Sequence, residues 1–329
     1  MGDKSGIEWT DATWNFVVGC TPVSAGCDHC YAKTLHDKRH TAWLGGNYPT
    51  APKQFHEPFE LVQAIPERLT MPLRWQRPRK IFVNSLADVF HKDVPDELID
   101  RAFAVMALAD KHSFQILTKR PQRMQRYLSD PGLPARVLGA AKVIAKEMGP
   151  AWVRREGWLH IDRDPGRSLV PPFPLPNVWL GVSVEQQEVA WRIDWLVKTP
   201  AAVRFLSCEP LIGPLDLSRW LLAVDIAPDH GIVPVESRVH WIIVGGESGA
   251  GHRPIDPDWV RLLRDQSVEA EVAFMFKQWG GHTSKAGGRE LDGRTWNEFP
   301  TIGGAAWDRS IFSSAPSVER GRGYLVQAP

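Results

Sequence analysis

Neither sign of charge is in excess in this chain: 39 Lys and Arg face 38 Asp and Glu, for a formal net charge of +1. No global field draws it to a polyanion, so any nucleic-acid contact must come from a local patch. No apolar run approaches the about 18 residues that span a bilayer. The N-terminus lacks the charged-then-apolar pattern of an export signal, so a cytoplasmic protein with no membrane contact is expected. There is no solenoid-type repeat and no low-complexity tract. Cysteine is scarce, at four in 329 residues. That excludes a disulfide scaffold, since cytosolic thiols stay reduced. What is present is a chain that is 43% apolar, enough for one large domain or two ordinary ones, with 15 tryptophans expected mostly in the core or at its edges.

Three of the four cysteines fall within eleven residues, Cys20, Cys27 and Cys30, spaced C-x6-C-x2-C. Soft thiolates select zinc, copper(I) or iron–sulfur clusters. A structural zinc site normally takes four protein ligands, and His29, His36 or His40 could complete a Cys3His set. No second CxxC pair closes a zinc ribbon, and Tyr31-Ala32-Lys33 reads as the start of a helix. The alternative is a [4Fe-4S] cluster held by three cysteines. It keeps one iron open, where S-adenosylmethionine can bind.

Short apolar runs rich in β-branched, aromatic or Leu residues recur at 13–18, 80–85, 113–118, 178–184, 203–207, 241–245 and 272–276. They read as buried parallel strands. Helical patterns fall between them at 96–109, 122–128, 137–146, 186–197 and 256–267, the last with Pro257 in its first turn. Alternating strand and helix implies βαβ units. The expected fold is α/β: an incomplete or full (β/α) barrel of about six or seven parallel strands over residues 1–280. A doubly wound open sheet is the second architecture. Two stretches rich in prolines, charges or loop residues, near 148–176 and 223–238, read as insertions. Residues 281–329 read as a C-terminal extension packed on the barrel, with its last ~15 residues disordered.

Nearly every strand candidate ends in polar or charged residues: Asn84 and Asp88, Lys119 and Arg120, Ser183 and Glu185, Glu209, Glu247, then Lys277 and Gln278. In a (β/α) barrel these ends form the active-site rim, and Cys20 follows its own strand directly. A polar strand end is also what any surface requires. The agreement of six segments is what points to an enzyme.

The stretch Ile7-Glu8-Trp9-Thr10-Asp11-Ala12-Thr13-Trp14-Asn15, with Gly19-Cys20, Ser24-Ala25-Gly26-Cys27 and Cys30-Tyr31-Ala32, resembles the opening of a phage- and bacteria-encoded three-cysteine family. That family is largely of unassigned function and is related to radical S-adenosylmethionine enzymes. The resemblance continues through Asn84-Ser85-Leu86-Ala87-Asp88, Leu117-Thr118-Lys119-Arg120-Pro121, Ser207-Cys208-Glu209-Pro210, Gly245-Gly246-Glu247 and Phe276-Lys277-Gln278-Trp279. The usual radical spacing is C-x3-C-x2-C. Here the first gap is six, which a loop carrying Pro22 and Gly26 can absorb.

The resemblance implies a [4Fe-4S] cluster on Cys20, Cys27 and Cys30, S-adenosylmethionine as co-substrate and an external electron donor. The Gly-Gly-Glu turn that related enzymes carry after the second strand is absent, and Ser85 and Asp88 are its substitutes. Gly245-Gly246-Glu247 lies at the sixth strand, where its glycines suit close approach of an adenine or ribose. Ser183 and Glu185 are candidate ribose or amino-acid contacts. Lys119 and Arg120 would hold a carboxylate or phosphate, or form a solvated basic turn. Glu209 is a pocket residue. Cys208 is either a hydrogen-atom donor or a buried thiol that packs as a small hydrophobe. The basic sets 74–80, with Trp75, and 119–126 could contact phosphates and stack on a base, so the expected substrate is a nucleotide or nucleic acid. A zinc-stapled binding protein acting with a partner and a redox-sensing cluster protein are the alternatives.

Overall fold

A computed structural model describes residues 5–155, 173–221, 238–302 and 305–306. Seven parallel strands form one sheet: β1 (Ala12–Trp14), β4 (Lys80–Val83), β5 (Ser113–Thr118), β6 (Val178–Ser183), β7 (Val203–Cys208), β8 (Trp241–Gly245) and β9 (Ala273–Gln278). Their spatial order is their chain order, β1-β4-β5-β6-β7-β8-β9. A doubly wound sheet would reverse direction at a switch point. This sheet winds one way only, as a (β/α) barrel does. Among the described residues β1 and β9 are not paired with each other, so the barrel is incomplete, a half-barrel.

The alternation of side chains along each strand builds two cores. The larger lies between the sheet and helices α2 (Asp96–Leu108), α3 (Pro121–Leu128), α4 (Leu133–Met148), α6 (Trp191–Val197) and α8 (Pro257–Glu269). The smaller fills the concave face with Phe82, Trp179, Val203, Phe205, Trp241, Ile243 and Met275 around Trp9. The Trp9 ring centroid is 4.6 Å from Phe82, 6.2 Å from Phe205 and 6.4 Å from Trp241. Each such ring contributes roughly 2 kcal/mol by leaving water. Gly181 makes this plug possible, because a Cβ there would lie 2.5 Å from the Phe205 ring. Trp9 precedes β1, so the plug fills the N-terminal end of the concave face.

The run at 13–18 is two short strands rather than one. Asn84, in the left-handed region at φ 54°, accepts the Phe16 and Val17 N–H groups on its Oδ1 at 3.0 and 3.2 Å. The chain therefore leaves the sheet, and β2 (Val17–Val18) pairs antiparallel with β3 (Gln63–Ala64). The helical pattern at 186–197 begins with a 3-10 turn, Gln187–Val189, before α6. Helix α5 (Pro150–Arg155) lies at the start of the first expected insertion; 156–172 and 222–237 are outside the described residues. Beyond β9, a hairpin of β10 (Glu290–Leu291) and β11 (Arg294–Thr295) leads to a segment running antiparallel to β9. There Phe276 N–H donates to Trp296 O at 3.1 Å and Glu298 N–H to Phe274 O at 3.1 Å. Phe299 then stacks at 4.9 Å on Trp241, with Lys80 Nζ 3.7 Å from its centroid. This part of the extension covers one sheet edge and the barrel floor. The last residues of the chain are outside the described set.

Candidate functional site

Gly19 turns the chain out of β2 at φ 102°, where a Cβ would meet Leu61 O at 2.5 Å. Cys20 N–H is held by Phe59 O at 3.0 Å. A 3-10 turn, Ala25–Cys27, then leads to Cys30, the N-cap of α1 (Tyr31–Leu44). All three cysteines are half-buried on this one loop at the C-terminal rim. The Cys20 thiol is pushed up first by burial and then by the Asp88 carboxylate, against the Arg120 guanidinium, with the Cys27 charge adding to the rise. Arg120 Nη1 donates to Cys20 Sγ at 3.5 Å.

The loop is strapped to four strand ends. From β5, Arg120 Nη2 also donates to Thr21 O at 2.9 Å and Thr21 Oγ1 at 3.0 Å, while Nη1 pairs with Asp88 at 3.2 Å. From β4, Ser85 O accepts the Tyr31 hydroxyl. Beyond β6, Glu185 Oε1 accepts the Ser24 hydroxyl and the Gly26 N–H, and its Oε2 pairs with the buried Arg192 at 2.9 Å. Gly26 has to be bare here, because a Cβ would lie 2.8 Å from the Glu185 carboxyl. Beyond β8, Glu247 Oε2 binds His29 Nδ1 at 2.9 Å and Arg253 N–H at 2.8 Å, and Arg253 Nη2 reaches both Glu247 Oε1 and Ala25 O. Burial works to raise the Glu247 pKa, but the hydrogen bonds from Arg253 and His29 outweigh it and hold the group at about 2.

Inside the rim a polar layer sits above the aromatic plug. Ser183, Ser207, Glu209, Gly245 and Lys277 share the parity of the inward-facing Trp179, Phe205, Ile243 and Met275 along their strands. Glu209 Oε1 is 2.9 Å from Lys277 Nζ, and Ser207 Oγ donates to Glu209 Oε2 at 3.3 Å. Gly245 leaves room for this carboxylate, since a Cβ would sit 2.6 Å from Glu209 Oε1.

The sequence-predicted residues thus divide by what they do. Glu209 and Gly245 line the inner layer with Ser183. Glu185, Glu247 and Asp88 hold other protein groups: Asp88 accepts from Thr118 Oγ1 at 2.7 Å, Lys119 N–H at 3.1 Å and Phe90 N–H at 2.9 Å. Ser85 donates to Asn15 Oδ1 at 3.2 Å. The space beside Gly246 is filled by Trp279 O, so its bareness serves a crossing of two backbones. Cys208 is not brought to the rim. It faces the helix-side core, fully buried, and burial pushes its thiol up. Lys119 makes no ion pair among the described residues. The sequence reading missed Arg253 and Tyr31 as site residues and considered His29 only as a zinc ligand, not as a strap; the placement of His29 and Tyr31 beside cysteines was the one signal they gave. Lys277 was visible as a strand-ending charge.

The family described as a protein of unknown function (DUF5131) matches residues 4–300. The chain belongs to this family. The match takes in the cysteine loop, all seven strands and the segment along β9. No curated protein and no solved structure matches the chain. The family description assigns no activity, so the chemistry has to be argued from these residues. No helix among the described residues is long and apolar enough to cross a membrane.

Proposed function

We propose that Cys20, Cys27 and Cys30 hold a [4Fe-4S] cluster and that the chain is a radical S-adenosylmethionine enzyme acting on a nucleotide or nucleic-acid substrate. The observation that carries this reading is the loop itself: it bears three thiols and is tied by hydrogen bonds to four strand ends at the C-terminal rim of a half-barrel. The donor set is all soft sulfur, which suits iron–sulfur ligation. Among the described residues no three His, Cys, Asp or Glu side chains form a cage for a single metal ion. His29, His36 and His40 each spend one ring nitrogen, on Glu247, Gln54 O and Phe55 O, which leaves the other nitrogen of each for a Cys3His zinc site, the competing reading that metal analysis has to separate.

Cys20, Cys27 and Cys30 would hold the cluster, which with S-adenosylmethionine and an external one-electron donor would supply radical hydrogen-atom abstraction. The chain's own residues position and shield. Arg120 donates to Cys20 Sγ and favours its thiolate, and Asp88 orients Arg120. Glu209 and Lys277 offer an acceptor and a donor at the inner rim for a ligand's polar groups, and Lys119, at the end of β5, adds a cation on the same rim. The basic set 74–80 precedes β4 and so lies at the opposite end of the barrel, with Arg79 over the Trp75 ring at 5.0 Å. Arg123 is spent on Val94 O, His91 O and Asp96. Substrate contacts are therefore expected at the rim, where Lys119 is the residue of these two basic runs offered to a ligand.

The test is anaerobic purification. About four irons per chain, a brown colour and 5′-deoxyadenosine after reduction are expected, and Cys27→Ala should remove all three. One zinc per chain without colour or cleavage would overturn the proposal.

A further inference from the structure

A cleft of about 230 Å³ opens at the free β1 edge of the half-barrel, between α1 and the ends of β1 and β4. No Asp or Glu lines it among the described residues, yet two arginines do. Arg68, half-buried at the end of the 3-10 turn Pro66–Arg68, donates to Gln54 Oε1 at 2.6 Å and to Asn15 O at 3.3 Å. Both acceptors are neutral, and Arg68 has no carboxylate partner among the described residues. Two of its five N–H groups are used, so the fork is held in plane with donors to spare. The neighbouring Glu67 carboxylate acts on this half-buried guanidinium only through space, after the cost of its burial, so a directly bound anion would complete it.

The opposite wall is one face of α1. Tyr31, Leu35 and Arg39 recur at four-residue spacing, which lines them up along the helix. Tyr31 is 54% and Leu35 37% exposed, large apolar surface on the side of the cleft. Arg39 lies 4.9 Å over the Phe55 ring, which fixes its guanidinium, and it makes no ion pair among the described residues. Tyr31 directly follows Cys30, so the cleft adjoins the cysteine loop.

We propose that this cleft is an anion-binding substrate subsite, taking a phosphate or carboxylate on Arg68 and Arg39 and an apolar or flat body against Tyr31 and Leu35. Arginine forks match both anions in bidentate geometry, and an aromatic face accepts a planar ring. Naming the occupant a substrate rests on the cluster reading; anion capture does not.

The test is calorimetric titration of the full chain, metal-free and cluster-loaded, with thymidine 5′-monophosphate, thymidine, inorganic phosphate and benzoate. A pyrimidine avoids competition at any adenine site. Saturable binding of the monophosphate or of benzoate is expected and identifies which anion is preferred. Thymidine should bind at least about tenfold more weakly, and phosphate alone more weakly than the monophosphate. Arg68→Gln should weaken anion binding about tenfold or more, with thymidine unchanged. Arg39→Gln, which breaks no hydrogen bond seen here, should weaken it several-fold and keeps the test valid if Arg68→Gln does not fold. Arg126→Gln, in the basic run on α3, should change nothing. Absence of anion binding, wild-type affinity in both cleft variants, or an equal loss in Arg126→Gln overturns the assignment. Failure of the cluster reading shows instead as missing iron with these titrations intact.

Discussion

Replacing Glu247 by alanine should loosen the cysteine loop while leaving the half-barrel folded. The carboxylate receives His29 Nδ1 at 2.9 Å and three Arg253 donors at 2.6 to 3.0 Å. Each charge-assisted bond is worth about 1.5–3 kcal/mol in isolation, but bonds within one network do not add. His29 and Arg253 are partly exposed and regain water when released, so the net loss is set at about 2 kcal/mol. If that loss falls on local opening, the open population rises about 30-fold. Amide hydrogen exchange reads this directly, because Cys27 N–H is held by Ser24 O and Cys30 N–H by Cys27 O. Peptides covering 20–30 should exchange about 30-fold faster in the variant, while those covering α2 and β5 keep their wild-type rates. The pH dependence has a definite sign. With its folded pKa held at about 2, below the ordinary carboxylate value, Glu247 contributes fully above about pH 4.5 and loses that contribution as pH falls toward 2. Loop protection should therefore persist at pH 5 in the wild type. Unchanged exchange of 20–30 in Glu247→Ala would refute the claim that β8 anchors the loop.

Burial holds His112 down at about pH 4, so the unfolded chain takes up a proton below pH 6.5 that the folded chain refuses. Stability should fall by about 3 kcal/mol between pH 6.5 and 4 from this group, and denaturant melts of His112→Phe should lack that slope. Gly181→Ala drives a methyl to 2.5 Å from the Phe205 ring and should cost about 1–3 kcal/mol by overpacking, read as a lower thermal midpoint; an unchanged midpoint would show that the plug yields freely.

The seven strands were legible because parallel strands buried on both faces leave continuous apolar runs. Residues 113–118 and 241–245 coincide with β5 and β8. The break in 13–18 was not legible, because its cause is Asn84, about 70 residues away. Local pattern also could not separate a barrel from a doubly wound sheet, since strand order is a property of the whole chain. Polar strand ends correctly marked the rim, but not which of them face a ligand and which face the loop. Glu185 and Ser24 are 161 residues apart, and His29 and Glu247 are 218 apart. Such pairs leave no trace in a window of sequence. Gln54 and Arg68 come from a stretch of short turns with weak periodicity and Arg39 from helix α1, so the cleft they form had no signal beyond the charges themselves.

The anchoring of residues 20–30 also fixes an order of events. Its hold comes from positions as late as Arg253, so the thiols reach their final arrangement only after most of the polypeptide has been made and wound. A chain cut short before β8 would carry its cysteines on a loop without the hold of Glu247 and Arg253.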